Sequence, residues 1–441
     1  MKLRLVLIGL AVVLAHSCPA GIFYDDGAKC IRVVDFPKEA PCTLARLLSM
    51  DALFKWGKVA YDRQTDTYTI AGDLWIGTND GSDTYFQVGS EAQPRETLVM
   101  KGNLVVCPNW IEKENPDKPG YQPEKSVNRL TLGVPAAKSV TAALKFEGGG
   151  ETRHSLFIGG IPTGPKDALR GRGGQLHVHS SIITSLVQKP GFEFGAPSRN
   201  RGMMLTGERV VLDHATLSWI AGFMTYGMSD IGRVAHTVFE RGGAAIINGR
   251  HDLIGCVFRN CGTAILDYGS LDAVLTDCAF EGNEHNWALT FSDKGLVCVD
   301  CTWDAPSKGN LYRSWENRQT KKKQYPSFVS KRHVVVEVVD EQDRPVPGAQ
   351  VAVKCEQGAL EAVENGKQTT NKLGRTAVKG AGTPILLTEV IEKATDVENQ
   401  PQVTPYTYVI EASAGDFAPV SRAGFRPLRS WEVVRLVLKK R

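Results

Sequence analysis

A repeat of about twenty residues between His214 and Trp303 constrains the fold of this chain more than any other feature. The segments HATLSW, AHTVFER, IGCVFRN, TDCAFEG and VDCTWDA align when each is anchored on one aromatic residue. Those residues are Trp219, Phe239, Phe258, Phe280 and Trp303. The intervals between them are 20, 19, 22 and 23 residues. A β-sandwich does not keep one register through five successive segments, so the spacing favours a repeat architecture.

Small or apolar residues occupy every second position before the aromatic residue of each repeat. Two positions before it stand Leu217, Thr237, Cys256, Cys278 and Cys301. A period of two is typical of a β-strand with one buried face. Short strands repeating about every twenty residues, with Gly or Asn at the corners, indicate the coils of a solenoid. We therefore expect an inward column of aromatic rings and an inward column of cysteines.

The pattern weakens upstream but continues as short apolar segments between Leu74 and Val187. The stretch from Ala45 to Gly57 has helical spacing and is predicted to cap the N-terminal end, within an N-terminal segment that covers residues 21–70. With these rungs, residues 71–306 resemble the right-handed parallel β-helix, or pectate-lyase-like, superfamily. The resemblance implies an all-β solenoid; it includes no catalytic signature.

The chain changes character after the polar, basic stretch 307–330, which is predicted to be a linker. The segment HVVVEVVDEQDRPVPGAQVAVK indicates strand, turn and strand, and Gly374 marks a later turn. Residues 331–441 resemble the carboxypeptidase-regulatory-like β-sandwich, an Ig-like or transthyretin-like fold. Members of that family are usually non-catalytic accessory modules, so the resemblance implies the same role here. Residues 380–404 are a longer insertion than the family usually has at this connection.

The first residues predict export. Basic Lys2 and Arg4 precede the apolar run from Leu5 to Leu14, and small residues follow at a cleavage position, as in a secretory signal. The run is too short to cross a membrane, which takes about 20 apolar residues, and no later segment is longer. We expect residues 1–20 to be removed and the protein to be extracellular, periplasmic or at the cell surface. Lipidation at Cys18 stays open as an alternative.

Charge is nearly balanced, with 52 basic and 48 acidic residues. The composition therefore does not favour nucleic acid or another strongly charged partner. From Ser307 onward, however, 22 Lys and Arg stand against 15 Asp and Glu. A solvated surface would explain this surplus, and so would contact with an anionic polymer of the cell envelope.

Two clusters are candidate catalytic sites. The first lies three residues before each aromatic, where side chains should point outward: Thr216, His236, Gly255, Asp277 and Asp300. Asp277 and Asp300 would then stack on neighbouring rungs about 4.8 Å apart, close to the separation of a retaining glycosidase pair. His236 would lie across Gly255, beside a notch that could admit a sugar. The alternative is a polar outer face without catalysis.

The second cluster is rich in histidine. Strand alternation in LHVHSS places His177 and His179 on one face, and His214 begins a later rung. The loop between these rungs adds Lys189, Arg199 and Arg201 as candidate substrate-binding cations. A polysaccharide lyase needs this combination, because a cation neutralises the uronate carboxylate while a histidine removes the adjacent proton. The alternative is that these histidines only decorate a rung.

No motif indicates a metal or a cofactor. GxSxG, P-loop, dinucleotide-turn and HExxH patterns are missing, and Cys298 with Cys301 lacks the second pair that a zinc site needs. A disulfide between Cys30 and Cys42 is left open. Two functions remain: an exported protein that binds polysaccharide or cell-envelope glycan without catalysis, or a lyase or glycoside hydrolase. Whether the chain is an enzyme is therefore undecided, and so is its oligomeric state.

Overall fold

The computed structural model describes residues 21–77, 83–106, 127–135, 139, 141–148, 154–158, 174–190, 192–195, 210–224, 233–247, 252–267, 273–290, 295–304, 309–316 and 321–441. The chain is almost entirely β, with 55% strand and 4% helix, which confirms the predicted all-β class. It forms two compact units, Met1–Ala221 and Gly222–Arg441. In the described part of the chain, every helix is too short or too polar to cross a membrane. The predicted signal sequence lies outside the described residues.

The first unit consists of three sheets of short strands. The strands are β1 (Gly21–Asp25), β2 (Cys30–Val34), β3 (Cys42–Thr43), β4 (Val59–Asp62), β5 (Thr67–Ile70), β6 (Asp73–Ile76), β7 (Thr84–Val88), β8 (Thr97–Met100), β9 (Leu104–Val106), β10 (Asn128–Leu132), β11 (Ala143–Phe146), β12 (His154–Ile158), β13 (Gly174–His179), β14 (Ile182–Ser185), β15 (Phe192–Gly195), β16 (Val210–Asp213) and β17 (Thr216–Ser218). Their orders are β1-β2-β6-β9-β12-β15 in sheet 1A, β3-β7-β10-β13-β16 in sheet 1B and β4-β5-β8-β11-β14-β17 in sheet 1C.

Successive strands pass from sheet 1A to 1B to 1C and then begin again, and each such set of three is called a rung here. From β5 onward neighbouring strands run parallel, for example β7, β10 and β13, whereas the pairs β1–β2 and β4–β5 at the start are antiparallel. In that register Leu130 lies between Phe86 and Leu176, and all three side chains are fully buried. Stacking therefore buries an apolar interior that no single rung could bury alone. This arrangement is compatible with a solenoid.

A short helix, α1 (Leu44–Phe54), covers most of the predicted capping segment, Ala45 to Gly57. Thr43 caps its N-terminus, because the hydroxyl accepts a hydrogen bond from the Arg46 backbone N–H at 3.4 Å. Leu44 and Leu47 are buried on its inner face. The helix ends earlier than expected because Lys55 takes the left-handed conformation, with φ of 56°.

The second unit continues the pattern of rungs and ends in a different set of sheets. Strand β18 (Ile220–Met224) begins it, followed by β19 (Val234–Ala235), β20 (Val238–Glu240), β21 (Ala244–Ile247), β22 (Leu253–Ile254), β23 (Val257–Arg259), β24 (Thr263–Asp267), β25 (Val274–Thr276), β26 (Ala279–Glu281), β27 (His285–Leu289), β28 (Leu296–Val299), β29 (Thr302–Trp303), β30 (Leu311–Tyr312), β31 (Trp315–Glu316), β32 (Lys323–Gln324), β33 (Ser327–Asp340), β34 (Gln350–Cys355), β35 (Val363–Glu364), β36 (Lys367–Thr369), β37 (Ile385–Lys393), β38 (Gln402–Pro405), β39 (Tyr408–Ser413), β40 (Phe417–Ala418), β41 (Val420–Phe425) and β42 (Glu432–Lys440). A 3-10 helix spans Leu360–Ala362.

Three parallel sheets make up the rungs of this unit: β18-β21-β24-β27-β30 in sheet 2A, β19-β22-β25-β28-β33 in sheet 2B and β20-β23-β26-β29 in sheet 2C. Beyond the last rung, β33 pairs with β37 and β42 and joins sheet 2B to the C-terminal part. A separate sheet, 2D, has the order β36-β34-β39-β41. Residues from both of these C-terminal sheets, among them Val336, Leu387, Tyr408 and Leu436, share one buried core.

The predicted aromatic column exists in the second unit. Phe239 lies opposite Phe258, and Phe258 opposite Phe280, in adjacent strands of sheet 2C. The ring centroids are 5.3 and 5.0 Å apart with interplanar angles of 9° and 20°. Trp303 continues the register opposite Phe280. The rings stack because parallel strands in register place like residues above one another.

Trp219 does not hold the inward position that the alignment assigned to it. It follows β17 in a left-handed conformation, with φ of 59°, and is half-buried. Leu217 takes the inward position instead, fully buried opposite Ile183. The alignment is therefore shifted by two residues in this segment, and His214 becomes the local equivalent of His236.

The corners that follow eight of the strands of sheets 1B and 2B, all except β3 and β33, share a left-handed residue. One residue there takes a positive φ, namely Gly89, Gly133, Ser180 and His214 in the first unit and His236, Gly255, Asp277 and Asp300 in the second. A single left-handed residue turns the chain sharply into the next sheet. Glycine, histidine, serine and aspartate thus share one structural position, which explains why polar residues recur there.

The predicted linker and the domain boundary at residue 331 differ from the structure. Strand β33 begins at Ser327, inside the predicted linker, and runs without a break to Asp340. Its first residues pair in parallel with β28, and Phe328 lies opposite Leu296. Its later residues pair with β42, beginning with Val334 opposite Glu432. One strand therefore serves as the last rung and as a strand of the C-terminal part.

The insertion 380–404 binds the C-terminal part to the last rungs. It contains most of the hairpin β37–β38. The Asn399 side chain accepts a hydrogen bond from the Tyr312 backbone N–H at 3.0 Å, and its own backbone N–H donates to the Tyr312 carbonyl at 2.8 Å. Glu389 forms a 2.8 Å salt bridge with the buried Arg332. The insertion is therefore a structural clamp.

Candidate functional site

The outer face of sheet 1B carries a regular array of polar side chains. Strand β13 alternates buried and half-buried residues, and its interior side holds Leu176 and Val178. The outward residues of β7, β10 and β13 are Tyr85, Gln87, Arg129, Thr131, Gln175, His177 and His179. In register, Arg129 lies between Tyr85 and Gln175, and Thr131 lies between Gln87 and His177. We call this array the sheet 1B face.

Arg129 is held in one position on this face. Its Nε and Nη2 groups donate to the Gln175 side-chain oxygen at 2.8 and 2.5 Å. The guanidinium carbon also lies 5.3 Å from the centre of the Tyr85 ring, within cation–π range. A cation that is already ordered loses little side-chain entropy when it binds an anion or a hydroxyl.

Gln87 is ordered at the corner of the same face. Its amide nitrogen donates to the Gly89 carbonyl at 2.7 Å and to the Gly133 carbonyl at 2.8 Å. The two carbonyls belong to equivalent corners of neighbouring rungs. Gln87 therefore ties two rungs together, and its amide plane is fixed beside Thr131.

The two predicted histidines of β13 lie together, as alternation required. The rings of His177 and His179 are 6.2 Å apart and nearly perpendicular. The Nε2 atom of His179 is buried and has no hydrogen-bond partner among the described residues. Burial lowers the pKa of His179, Asp213 opposes this effect, and the charge of Arg129 adds to it. The ring is therefore predominantly neutral near pH 7, and its Nε2 atom is shielded from solvent.

Asp213 and His214 extend the cluster to the next rung. Asp213 lies opposite His179 in the parallel pairing of β13 with β16. Its carboxylate is 3.1 Å from the His214 Nδ1 atom, and His214 is exposed at the corner. The structure thus brings His177, His179 and His214 into one neighbourhood. Lys189 is exposed after β14, and the predicted Arg199 and Arg201 lie outside the described residues.

The other predicted cluster is not assembled as a pair of exposed carboxylates. Asp300 is only 4% exposed. Its two oxygens accept hydrogen bonds from the His333 backbone N–H at 2.9 Å and from its Nδ1 atom at 2.6 Å. Asp277 is exposed at the equivalent corner of the preceding rung. The prediction of Asp300 on the outer face is therefore wrong, because β33 covers that corner.

The notch predicted beside Gly255 is also filled. A Cβ atom on Gly255 would lie 2.6 Å from the His236 Nδ1 atom, so the imidazole rests directly over the glycine. The glycine has φ of 61° and lacks a side chain that would displace the ring. His236 is exposed, but the space beneath it does not admit a sugar.

Asp300 should act as a structural carboxylate whose contribution depends on pH. Burial, the largest single influence, raises the pKa of Asp300, but the hydrogen bonds and charge of His333 outweigh it and lower the pKa below 3.8. The stabilisation is therefore present above about pH 4 and is lost as pH falls through the folded value. We expect Asp300→Asn to reduce the free energy of unfolding by about 1.5–3 kcal/mol at pH 7.

Asp277→Asn is the matched control, since Asp277 has the same corner conformation but is exposed. It should change stability by less than about 0.5 kcal/mol. Urea unfolding at pH 7 and pH 3 measures both variants. If the loss in Asp300→Asn persists undiminished at pH 3, the carboxylate is not the stabilising group.

Sequence reasoning found the histidines of the sheet 1B face but missed Tyr85, Gln87 and Arg129. The same alternation that located His177 would have found them, because YFQV and RLTL also alternate. The pairing of β10 between β7 and β13 is the information that was missing. This pairing depends on the order in which the rungs stack, and the sequence does not reveal that order where the repeat is weak.

Within the described part of the chain, no group of three or more His, Cys, Asp or Glu side chains could hold a metal ion. The geometry of the sheet 1B face instead suits hydrogen bonding to hydroxyls and carboxylates through amide, imidazole and guanidinium groups. Comparison of the chain with protein-family models, with curated proteins and with solved structures gave no match.

Proposed function

We propose that this chain is an exported right-handed parallel β-helix protein of the pectate-lyase-like type, with a C-terminal carboxypeptidase-regulatory-like β-sandwich. Its function would be to bind an extracellular or cell-envelope polysaccharide on the sheet 1B face. The ordered array of polar side chains on adjacent parallel strands carries this proposal.

The spacing of that array supports a repeating ligand. Neighbouring strands are about 4.8 Å apart, so three strands present similar polar groups along about 10 Å, roughly the length of two sugar units. Arg129, Gln87 and Gln175 are held by internal hydrogen bonds. Binding would therefore immobilise few side chains, which favours affinity. Tyr85 adds an aromatic ring at the edge of the same row.

Replacing Arg129 by Ala tests this proposal. We expect the dissociation constant for the bound polysaccharide to rise about tenfold, equivalent to about 1.4 kcal/mol, because the fixed cation is lost and Gln175 is no longer held in position. Calorimetric titration against uronate-containing and neutral polysaccharides provides the measurement. Lys145→Ala is the matched control, since Lys145 is a half-buried cation on β11 that faces outward from sheet 1C. Equal losses in the two variants would move binding away from the sheet 1B face.

A second candidate function is a polysaccharide lyase that uses the same face. The lowered pKa of His179 favours it, because a neutral imidazole is the form that removes a proton. Arg129 would neutralise the uronate carboxylate, and the neighbouring His214 is an alternative base. The hydrolase alternative is weaker, since Asp300 is engaged by His333.

In the lyase case, His179→Ala should reduce the formation of unsaturated sugar ends at least 100-fold, the lower range for loss of a general base. Its melting temperature should change little, because the ring is on the outer face. Asp277→Asn should leave the rate unchanged. Absorbance of the unsaturated product and a reducing-end assay measure the two reactions separately. A wild-type chain that yields neither product from any uronate or neutral polysaccharide supports binding without catalysis.

A further inference from the structure

Three buried cysteines lie one above another inside the second unit. Cys256, Cys278 and Cys301 each follow the left-handed corner residue of their rung. The backbone confirms the stacking: the Ala279 N–H donates to the Cys256 carbonyl and the Thr302 N–H to the Cys278 carbonyl, both at 2.8 Å. Each of the three cysteines is at most 1% exposed. The inward cysteine column expected from the repeat is therefore present, and its thiols are free in this structure.

The thiols of this column influence one another. The neighbouring thiols of Cys256 and Cys301, more than burial, raise the pKa of Cys278. Cys298, the first cysteine of the CVDC segment, acts in the same way on Cys301 and lowers its pKa. Cys261 lies outside this column, although its thiol, like those of Cys278 and Cys301, is near two backbone carbonyls, those of Phe239 and Arg259 at 3.6 and 3.5 Å. Adjacent thiols of this kind are reactants for thiol–disulfide exchange.

At the end of the column, backbone spacing favours a disulfide between Cys278 and Cys301 over one between Cys298 and Cys301. Residues stacked on adjacent parallel strands have Cα atoms about 4.8 Å apart, inside the range of roughly 4.4–6.8 Å that a disulfide spans. Cys278 and Cys301 are stacked in this way. Cys298 and Cys301 belong to one strand and its corner, where the chain turns between them.

The surroundings of Cys301 distinguish it from Cys256 at the other end. The guanidinium of buried Arg332 donates a hydrogen bond to the Cys301 carbonyl. The neighbouring thiols of Cys278 and Cys298, together with the charge of Arg332, lower the pKa of Cys301, and Cys278 lowers the pKa of Cys256 in the same way. Burial raises the pKa of Cys261 to about 11. The guanidinium of Arg332 is therefore what distinguishes Cys301, because a neighbouring cation favours the thiolate, which is the attacking species in disulfide exchange.

We propose that Cys278 and Cys301 are an oxidation site, at which a disulfide joins two successive rungs of the second unit. The oxidant is a small disulfide such as oxidised glutathione. The Cys301 thiolate attacks it and releases one thiol, and Cys278 then attacks the mixed disulfide and releases the second. Two protein thiols and one glutathione disulfide thus give one protein disulfide and two glutathione thiols. Because both sulfurs are buried in the folded chain, the exchange takes place late in folding, when the rungs have stacked Cys278 on Cys301 beside Arg332 but the sulfurs are still accessible.

The experiment refolds the full chain from denaturant in a buffer containing reduced and oxidised glutathione. Thiols titrated after renewed denaturation should fall by two relative to chain refolded with reductant alone. Trypsin cuts after Arg259, Lys294 and Lys308, so the expected bond links peptide 260–294 to peptide 295–308. Mass spectrometry should detect this linked pair in the wild type and in the controls Cys261→Ala and Cys298→Ala.

The linked peptides should be absent from the Cys278→Ala variant and from the Cys301→Ala variant. If Cys278→Ala does not fold under reducing conditions, Cys278→Ser is used in its place. Oxidised wild type should also melt several degrees above reduced wild type, a shift that the two pair variants lack. A bond confined to peptide 295–308 would identify Cys298 as the partner and overturn the assignment. Complete retention of the thiols after refolding would overturn the oxidation site itself.

Discussion

Replacing Phe258 by Ala should lower the free energy of unfolding by about 3–5 kcal/mol, in the range measured for large aromatic truncations in protein cores. Its ring is fully buried and stacks between Phe239 and Phe280 at 5.3 and 5.0 Å. The cavity left behind cannot close readily, because the rungs above and below fix the spacing of the backbone. Urea unfolding followed by circular dichroism measures the loss.

Val257→Ala is the control from the adjacent position of the same strand. Val257 faces outward and is half-buried, so we expect a loss of about 1 kcal/mol or less. The difference between the two variants tests the inward register of sheet 2C. Similar losses at both positions would mean that the ring does not point into the interior.

The aromatic column was predictable because its members recur at nearly constant intervals and each rung has the same local geometry. The first repeat shows where such reasoning ends. The first repeat was aligned on Trp219 because that residue is aromatic. The left-handed corner at His214, however, determines which residues of this repeat point inward. Left-handed positions are hard to recognise when they are occupied by histidine or aspartate instead of glycine. Aligning the corners first would have placed Leu217 correctly.

Asp300 was misplaced for a different reason. Its corner looks like that of Asp277 in sequence, but a strand more than 25 residues downstream covers it and supplies His333. A partner so distant leaves no local signal. The outward histidines of β13 were predicted correctly because alternation within one strand is local, and their assembly with Asp213 follows from the parallel pairing.

The linker predicted at residues 307–330 differs from the structure because a polar composition does not show whether a segment packs against its neighbours. Lys321, Lys322 and Lys323 indicate a solvated segment, and they are indeed exposed. The strand that follows is nevertheless shared between the last rung and the C-terminal sheets. Between these parts the ring centroids of Phe328 and Trp287 are 4.1 Å apart, and the rings are almost parallel. The second unit is therefore one folding unit, in which the C-terminal sheets close the end of the rungs.

Ending the chain at Gln324 should consequently abolish cooperative folding of the rungs in the second unit, the opposite of what a flexible linker would allow. The truncation removes Phe328 from Trp287 and His333 from Asp300. Loss of the aromatic contact alone costs about 3–5 kcal/mol, a large part of the 5–15 kcal/mol that typically stabilises a domain. It also exposes the edge of β28, which would promote aggregation.

A chain cleaved at one site is the control for this truncation. It breaks the covalent connection to the C-terminal part but keeps the packing of that part against the rungs. A protease site inserted between Lys322 and Lys323 lies in an exposed hairpin, and cleavage there leaves every strand of the second unit intact. The two fragments should remain associated through size-exclusion chromatography and melt in one transition, because β33 still pairs with β28. If the chain ending at Gln324 is instead soluble and melts cooperatively at the wild-type temperature, the rungs need no closure. The shared strand would then be a contact of little energetic consequence.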